Sequence, residues 1–271
     1  MLRYKFGLLI TACCIWGKLP AQELFVYTEP SSNMPSKSIG IRLSNWLMNE
    51  DNTSRINYHF VPEVMWGVNK RLMMHLEGYM SNVAGGFSAE GVGVYAKYRF
   101  FSRDKVYKHY RMAVFARAST NNGHIHQEEI ATNGHNTGYQ SGLIGTQLLH
   151  KTALSVTAYY ERALDNLNGN EFPVTLSNNA VNYALSAGRL LIPKAYTGYK
   201  QTNMNIMVEL LGQSLLGNGG RFVDVGTSLQ FIFNSQTRVD VGYKYELYST
   251  MRRTAPNGFL VRVEHLLFNV M

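Results

Sequence analysis

Apolar and polar side chains alternate along about twelve segments of this chain, and this pattern constrains the fold more than any other feature. Residues 237–248 give the clearest case. One face there carries Val239, Val241, Tyr243, Tyr245 and Leu247, and the other carries Arg238, Asp240, Gly242, Lys244 and Glu246. Successive side chains of a β-strand point to opposite sides of the sheet. The alternation therefore predicts strands with one apolar face and one polar face.

The alternating segments have the length of strands that cross a bilayer. They lie near residues 38–45, 57–68, 71–82, 90–101, 108–119, 137–149, 151–162, 180–191, 202–213, 221–233, 237–248 and 257–269. A tilted membrane strand needs about 9–11 residues, and most of these segments reach that length. Helical patterns are missing between them, which argues against a parallel sheet with crossover helices. The absence of a repeat of about 20–50 residues argues against a propeller or a solenoid.

Composition removes the remaining non-β classes. Apolar residues make up 45% of the 271 residues, which is too many for a disordered chain. Charged residues are only 16%, below the roughly 25% of an average soluble domain. Beyond the first residues, no stretch approaches the roughly 18 consecutive apolar residues of a transmembrane helix. An all-β protein remains, either soluble or embedded in a membrane.

The connections between the segments favour a membrane barrel. If the N-terminus of the barrel lies on the periplasmic side, the connections on that inner side are 69–70, 102–107, the turn at His150, 192–201 and 234–236. The outer ones are 46–56, 83–89, 120–136, 163–179, 214–220 and 249–256. Short periplasmic turns and longer extracellular loops are typical of outer-membrane barrels. A soluble two-sheet sandwich also alternates, but polar-face residues such as Gly142, Gly226, Ser155 and Thr157 suit a lumen better. We therefore predict a transmembrane antiparallel β-barrel of about 12 strands.

The first residues read as an export signal. Arg3 and Lys5 precede a short apolar run over residues 6–16, and residues 19–21 form a small-residue cleavage site. We expect a signal peptide at 1–21, a periplasmic N-terminal segment at 22–37 and the barrel at 38–271, in the outer membrane of a Gram-negative bacterium. An alternative is a lipoprotein box at residues 10–13, with Cys13 acylated.

Charge and cysteine content limit the partners. Loss of Arg3, Lys5 and Lys18 with the signal lowers the formal net charge from +8 to about +5. Basic clusters with interleaved aromatics are absent, so nucleic acid is not an expected partner. Simple cleavage also removes both cysteines, which excludes a disulfide framework and a thiolate site.

The last strand resembles a known recognition element. Residues 258–268 alternate and end on Phe268, close to the C-terminus, which is similar to the strand by which bacterial outer-membrane barrels are recognised for assembly. Over residues 38–271 the chain resembles poorly characterised outer-membrane barrels labelled transporters, and is loosely similar to the phenol-degradation-associated (meta-pathway) barrel family. The resemblance implies an outer-membrane barrel, with outer-membrane lipid and the barrel assembly machinery as partners. It rests on overall pattern, so no functional residues carry over.

The polar faces supply the candidate lumen residues, and charges of both signs nearly cancel among them. They are Arg42, Glu63, Arg71, Glu77, Lys97, Arg99, Arg111, Arg117, Glu161, Glu209, Asp224, Arg238, Asp240, Lys244, Glu246, Arg262 and Glu264. Two interpretations stay open. These side chains line the path of a small solute, or they form an ion-pair network that fixes strand register and occludes the lumen. No cofactor is implied.

Two further patterns suggest chemistry more weakly. His124, His126 and His135 share one outer loop, and imidazoles with a carboxylate suit a transition metal. Ser81 lies at a predicted rim that His124 or His135 can approach, as in a rim-active lipid enzyme. Neither pattern contains a catalytic motif, and we do not expect an enzyme. The function we predict is passage or uptake of a small hydrophilic or amphipathic solute. The alternatives are an occluded barrel that displays loops 120–136 and 163–179 to a partner, and the rim-active enzyme.

Overall fold

The fold was examined in a computed structural model that describes residues 25–50, 55–83, 85–106, 108–125, 127–169, 171–193, 198 and 200–270. The predicted signal peptide and the alternative acylation site at Cys13 lie outside these residues. The twelve strands are β1 Ser38–Asn49, β2 Ile56–Gly67, β3 Leu72–Ser81, β4 Ser88–Lys105, β5 Lys108–Asn121, β6 Gly138–Leu149, β7 Thr152–Ala163, β8 Asn179–Ile192, β9 Asn203–Leu215, β10 Arg221–Phe233, β11 Thr237–Ser249 and β12 Asn257–Leu267.

The strands form one closed antiparallel barrel, as predicted. Each strand pairs with its neighbours in sequence, and β1 pairs with β12 to close the ring. Pairing at this seam is continuous from Ile39 opposite Leu267 to Asn49 opposite Asn257. Closure leaves no sheet edge, which is what a sheet in lipid requires. Among the described residues, no helix is long and apolar enough to cross a bilayer.

Four of the five connections at one end of the barrel are short, and the fifth spans residues 193–202. The connections at the other end include the two longest, 122–137 and 164–178. The β10–β11 turn places Asn234 and Ser235 at φ values of 52° and 57°, with Gln236 N donating to Phe233 O at 3.0 Å. Two central residues with positive φ identify a type I′ turn, whose twist matches antiparallel strands. The inner connection expected at 102–107 is shorter than predicted, because β4 continues to Lys105 and pairs there with Lys108.

The two faces of the sheet are inverted relative to a soluble protein. On β9, Ile206, Val208 and Leu210 are exposed on the outside, while Met207 and Glu209 between them are buried inside. The same alternation runs through the other strands. An apolar outer surface and a polar interior are the arrangement expected of a barrel surrounded by lipid.

Candidate functional site

A row of ion pairs crosses five neighbouring strands inside the barrel. Arg238 Nη2 lies 2.9 Å from Glu264 Oε2, and Arg42 Nε donates to the same oxygen at 2.7 Å. Arg42 Nη1 reaches Glu63 Oε2 at 3.3 Å, and His75 Nδ1 lies 3.3 Å from the same oxygen. We call these five residues the lumen belt. Arg42 is directly opposite Glu63 and Glu264 in the strand register. The ion pairs of the lumen belt therefore stabilise the observed strand register relative to a shifted one.

Two pairs extend the belt at its ends. Arg117 Nη2 donates to Glu77 Oε1 at 3.0 Å, and Tyr79 donates its hydroxyl hydrogen to Glu77 Oε2 at 2.6 Å. At the other end, Asp240 Oδ2 lies 3.1 Å from Arg238 Nε. That contact lacks hydrogen-bond geometry, and Asp240 is completely buried. Removing either charge would therefore leave the other one buried without a compensating partner. The desolvation cost of that remaining charge would then destabilise the barrel.

The segment before β1 lies within the barrel and not in the periplasm. We call residues 25–36 the plug segment. Glu209 on β9, which is 0% exposed, anchors it. One oxygen of this carboxylate accepts from Val26 N at 2.8 Å and Tyr27 N at 2.9 Å, and the other from Thr28 N at 3.0 Å and Thr28 Oγ1 at 2.7 Å. Ser186 Oγ adds a fifth hydrogen bond at 3.0 Å. The periplasmic placement predicted for residues 22–37 is thus corrected for the described part of this segment.

The plug segment also contacts strands on other sides of the lumen. Lys97 Nζ on β4 donates to Pro30 O at 2.6 Å and to Ser32 O at 2.9 Å. On β12, Arg262 Nη1 donates to Val26 O at 2.7 Å. These cations satisfy backbone carbonyls that would otherwise be buried without partners. The segment is therefore bound around the lumen wall and not at a single point.

Burial and ion pairing set the charge state of Glu29 in the plug segment. Burial raises the pKa of this carboxyl, but Arg42, at 2.8 Å, and then Lys97 lower it by more. The net pKa lies well below its usual value, so Glu29 is ionised at neutral pH. The plug segment thereby adds an anion that joins the lumen belt.

Glycines on the lumen face make room for the plug segment. The ring of Tyr27 lies against Gly226 of β10, where a Cβ atom would come within 2.5 Å of the ring. Its hydroxyl lies against Gly242 of β11, where a Cβ atom would be 2.6 Å away. Any larger residue at either position would push Tyr27 off the wall. The glycines on the predicted polar face are thus explained by the segment that packs on them.

The β5–β6 loop, residues 122–137, folds into the lumen from the opposite end. Ile130 exchanges two backbone hydrogen bonds with the Gln213 side chain, at 2.9 and 2.7 Å. Thr132 donates to Glu161 Oε1 through its N–H at 2.7 Å and its hydroxyl at 2.8 Å. Ile130 is buried with Phe172 of the β7–β8 loop and Phe222. The alternative prediction that these loops are displayed to a partner is corrected for these inward-facing residues.

Arg253, in the β11–β12 loop, connects the β5–β6 loop to strands β10 and β11. It lies 2.7 Å from Glu129 of the β5–β6 loop, 2.6 Å from Asp224 and 2.8 Å from Glu246. Its guanidinium also lies 3.7 Å from the ring centre of Phe222. The sequence interpretation did not single out Arg253, because it lies in a loop where alternation carries no information. Several acidic lumen positions near one outer loop are the signal that would have indicated a cationic partner.

Acidification is expected to loosen the β5–β6 loop. Burial raises the pKa of Glu129, but Arg253 and Lys244 lower it more, to about 2 from an ordinary 4.5. A depressed folded-state pKa stabilises the closed loop fully above about pH 4.5, and this contribution is lost as pH falls toward 2. Amide exchange at Ile130 and Thr132, corrected for intrinsic rates, should therefore accelerate over that range. Glu129→Gln should exchange fast already at neutral pH, and an unchanged acid response in that variant would contradict the assignment.

Two adjoining cavities of about 140 Å³ each lie inside the barrel. The outer cavity is bounded by the β5–β6 loop, and the central cavity by the lumen belt and the plug segment. Trp46, Val61 and Asn133 border both. The cavities thus follow one another from the outer loops toward the plug segment.

The structure brings most of the predicted lumen residues inside, in three groups. Arg42, Glu63, Glu77, Arg117, Arg238, Asp240, Arg262 and Glu264 surround the middle of the lumen, and Asp224, Lys244 and Glu246 gather around Arg253. Lys97 and Glu209 hold the plug segment, and Glu161 holds the β5–β6 loop.

Three predicted residues lie near the inner mouth. Arg111 pairs with Asp104 at 3.1 Å and donates to Ser32 Oγ of the plug segment at 2.8 Å. Arg99 donates to Lys70 O at 2.7 Å. The prediction for Arg71 is wrong: this residue is exposed in the turn before β3. Asn69 Oδ1 accepts from the N–H groups of Arg71 and Leu72 at 2.8 and 2.9 Å, and this side-chain turn delays the strand to Leu72.

The histidine loop is not assembled as a metal site in the described residues. His124 is exposed, His135 packs its ring 4.5 Å from that of His59, and His126 lies outside the described residues. A different group, Glu63, His75 and Glu77, has ligand atoms within 4.8 Å of one another. Arg42 and Arg117 already pair with its two carboxylates, which opposes a bound cation.

The rim serine is engaged by a carboxylate. Ser81 is completely buried and donates its hydroxyl hydrogen to Glu90, and it accepts from Val83 N at 3.1 Å. A serine activated for nucleophilic attack needs a base that accepts its proton and is itself oriented by a third group. Glu90 alone does not provide that arrangement.

Comparison with known proteins returns structural likeness without sequence likeness. No family model matches the chain, and no curated protein matches it. An outer-membrane channel from Pseudomonas putida F1 superposes with a TM-score of 0.55 at 11% identity, covering 89% of this chain and 99% of that one. At this identity the likeness shows the fold alone, a closed antiparallel β-barrel.

Two porin structures are more distant. The NanC porin gives a TM-score of 0.49 at 13% identity, covering 85% of this chain and 98% of that chain. The KdgM porin gives 0.48 at 10% identity, covering 83% and 98%.

Proposed function

We propose that this protein is an outer-membrane β-barrel of a Gram-negative bacterium that passes a small hydrophilic or amphipathic solute and has no enzymatic activity. The pair of adjoining cavities inside a polar lumen carries the proposal. A barrel built only for rigidity gains from filling its interior with paired side chains. Here the lumen keeps two adjoining spaces, about 140 Å³ each, between the outer loops and the plug segment.

We propose further that the plug segment and the β5–β6 loop gate the path from its two ends. Both are held by hydrogen bonds to lumen side chains, through Glu209 on one side and through Gln213 and Glu161 on the other. Neither is a paired strand of the sheet. Each can therefore leave the lumen without breaking the ladder that closes the barrel.

The proposal extends to export and assembly. Residues 1–21 would direct secretion, and β12, which is followed by Phe268, would be recognised by the barrel assembly machinery. The overall pattern of strands and loops supports kinship with the phenol-degradation-associated barrel family. Outer-membrane lipid is the expected surrounding, since apolar side chains cover the outside of the strands.

Reconstitution into planar bilayers tests the channel proposal. We expect discrete conductance events at high salt, with weak ion selectivity, because acidic and basic lumen side chains nearly balance. The reversal potential under a KCl gradient measures that selectivity. A heat-modifiable gel shift is the control that shows that the inserted protein is a folded barrel. Strong selectivity would contradict the balanced lumen. The absence of events, both in the natural protein and in a variant with a weakened plug segment, would contradict a channel.

The occluded structural barrel stays as the second candidate, and the lumen belt favours it. A chain of buried ion pairs across β11, β12, β1, β2 and β3 suits a rigid interior that never opens. This candidate expects no conductance from any plug variant that keeps the barrel folded.

A further inference from the structure

Exposed cations surround the end of the barrel at which the short turns lie. We call this end the inner rim; it comprises the turn before β1 and the connections 68–71, 106–107, 150–151, 193–202 and 234–236, with the exposed strand positions beside them. Among its described residues, Asp104 is the one acidic side chain. The exposed basic side chains include Lys37, Lys70, Arg103, Lys105, Lys108 and Arg189.

Asp104 does not neutralise these cations, because it faces the lumen side of the rim. It lies opposite His109, which is buried, in the β4–β5 register. Its carboxylate accepts from Arg111 Nε at 3.1 Å and Nη2 at 3.2 Å, and His109 Nδ1 lies 3.1 Å away. The outward side of the inner rim, as far as the described residues show it, therefore carries positive charge alone.

The other end of the barrel carries both signs of charge. Arg162, Arg221 and Arg252 are exposed there, and so are Asp165 and Glu171. The positive excess is thus a property of the inner rim and not of the whole molecule. A rim of one charge sign attracts a partner of the opposite sign.

The outward face of the β4–β5 hairpin changes from charged to apolar in the order expected at a membrane surface. Four cross-strand pairs follow one another from the turn: Lys105 opposite Lys108, Arg103 opposite Tyr110, Phe101 opposite Met112, and Tyr98 opposite Val114. The rings of Phe101 and Tyr110 lie 5.9 Å apart between the cations and the apolar pairs. Aromatic side chains are typical of the interface between head groups and hydrocarbon. The cations beyond them therefore lie at the level of the head groups.

Arg189 repeats this arrangement on a separate strand. Its side chain shares the outward face of β8 with Leu185, which is 53% exposed, and its register neighbours are Thr152 and Ile206. An arginine among lipid-facing apolar residues extends its guanidinium toward the nearest head groups. Arg189 thus adds a second outward cation at the same end of the barrel.

The cations are distributed around the rim and not gathered on one side. Lys37 precedes β1, Lys70 lies between β2 and β3, the hairpin joins β4 to β5, and Arg189 lies on β8, and strands adjacent in sequence are adjacent around the ring. A bilayer leaflet contacts a barrel on all sides, whereas a compact acidic protein contacts one side. This distribution favours lipid as the partner.

We propose that the inner rim binds anionic phospholipid of the surrounding leaflet, with the phosphates of phosphatidylglycerol at the cations of the β4–β5 hairpin and at Arg189. Cations near a membrane surface are attracted to anionic lipids and far less to zwitterionic ones. The proposal depends on the placement of the barrel in a membrane and is independent of the passage of a solute.

Native mass spectrometry of the purified full-length barrel in a neutral detergent tests the proposal. The barrel is mixed with equal amounts of phosphatidylglycerol and phosphatidylethanolamine that carry the same acyl chains. We expect it to retain phosphatidylglycerol in at least about fivefold excess, the factor for one cation at an anionic surface. Higher ionic strength should reduce this excess, because salt screens exposed charges. Equal retention of the two lipids would overturn the proposal, whether or not the barrel conducts.

Two triple variants with the same loss of charge locate the binding. Arg103→Gln, Lys105→Gln and Lys108→Gln together should reduce the excess of phosphatidylglycerol by at least about fivefold. The matched control combines Arg162→Gln, Arg221→Gln and Arg252→Gln, at exposed positions of the other end, and should keep the excess. An unchanged excess in the first variant, or an equal fall in both, would overturn the proposal.

Arg189→Gln keeps the test decisive if the hairpin variant does not fold. This single change on the outward face of β8 should lower the excess of phosphatidylglycerol by up to about fivefold. The heat-modifiable gel shift shows that each variant is a folded barrel. If the hairpin variant is unfolded and Arg189→Gln retains the full excess, the proposed rim site is rejected.

Discussion

Arg42→Ala is expected to lower the free energy of unfolding of the barrel by about 3–5 kcal/mol, the usual cost of breaking a buried ion pair by removing one partner. Arg42 contacts Glu29, Glu63 and Glu264 at 2.8, 3.3 and 2.7 Å, and it is only 7% exposed. Its loss leaves three carboxylates in the lumen with reduced compensation. Urea unfolding followed by the heat-modifiable gel shift measures the change.

Arg71→Ala provides the matched control for Arg42. It removes the same side chain from the exposed turn before β3, where a surface substitution should change stability by less than about 0.5 kcal/mol. Equal, small losses in both variants would indicate that water reaches the belt and screens its charges. The lumen around Arg42 would then be more accessible to water than the burial of this residue indicates.

Glu209→Leu is expected to release the plug segment and produce the largest rise in conductance. The carboxylate accepts five hydrogen bonds, four of them from residues 26–28. A hydrogen bond to a charged group contributes about 1.5–3 kcal/mol. Losing the equivalent of only one shifts the ratio of open to closed channel by roughly 10- to 100-fold. Single-channel open probability in planar bilayers reports this ratio.

A graded series separates release of the plug segment from general damage. Ser186→Ala removes one of the five hydrogen bonds and the 2.9 Å contact of Ser186 Oγ with Thr28 Oγ1. It leaves the anchor charge and the four hydrogen bonds from residues 26–28, so its open probability should rise least in the series. Glu209→Gln keeps the shape but loses the charge and one accepting oxygen, and should be intermediate. If Glu209→Leu remains folded and closed, the plug segment does not gate the path.

Strand alternation predicted the strands because it reports a local property, the direction of each side chain, and the connection lengths and polar-face residues then favoured a barrel over a sandwich. It located the start of β1 at Ser38 and the start of β12 at Asn257 without reference to tertiary contacts. It failed at Arg71, where Asn69 forms a side-chain turn that interrupts an otherwise correct alternation. Turn chemistry acts over two or three residues, a shorter range than the pattern can detect.

The plug segment was beyond the reach of the same reasoning. Residues 25–36 have no period, and their main anchor, Glu209, is more than 180 residues away in the chain. The indirect sign was present at Gly226 and Gly242, lumen positions where a side chain would collide with Tyr27. In a narrow lumen, a glycine on the inward face indicates that something must fit against it.

A barrel that encloses the residues just before its first strand imposes an order on its own biogenesis. The β1–β12 seam joins positions about 220 residues apart, and contacts so distant in sequence form late. Residues 25–36 either settle onto β4 and β9 while the sheet is still open, or enter afterwards through the mouth beside β1. In the first case the plug segment is bound before the barrel closes, and the strands close around it. The anchor at Glu209 would then affect the rate of assembly as well as the passage of solute.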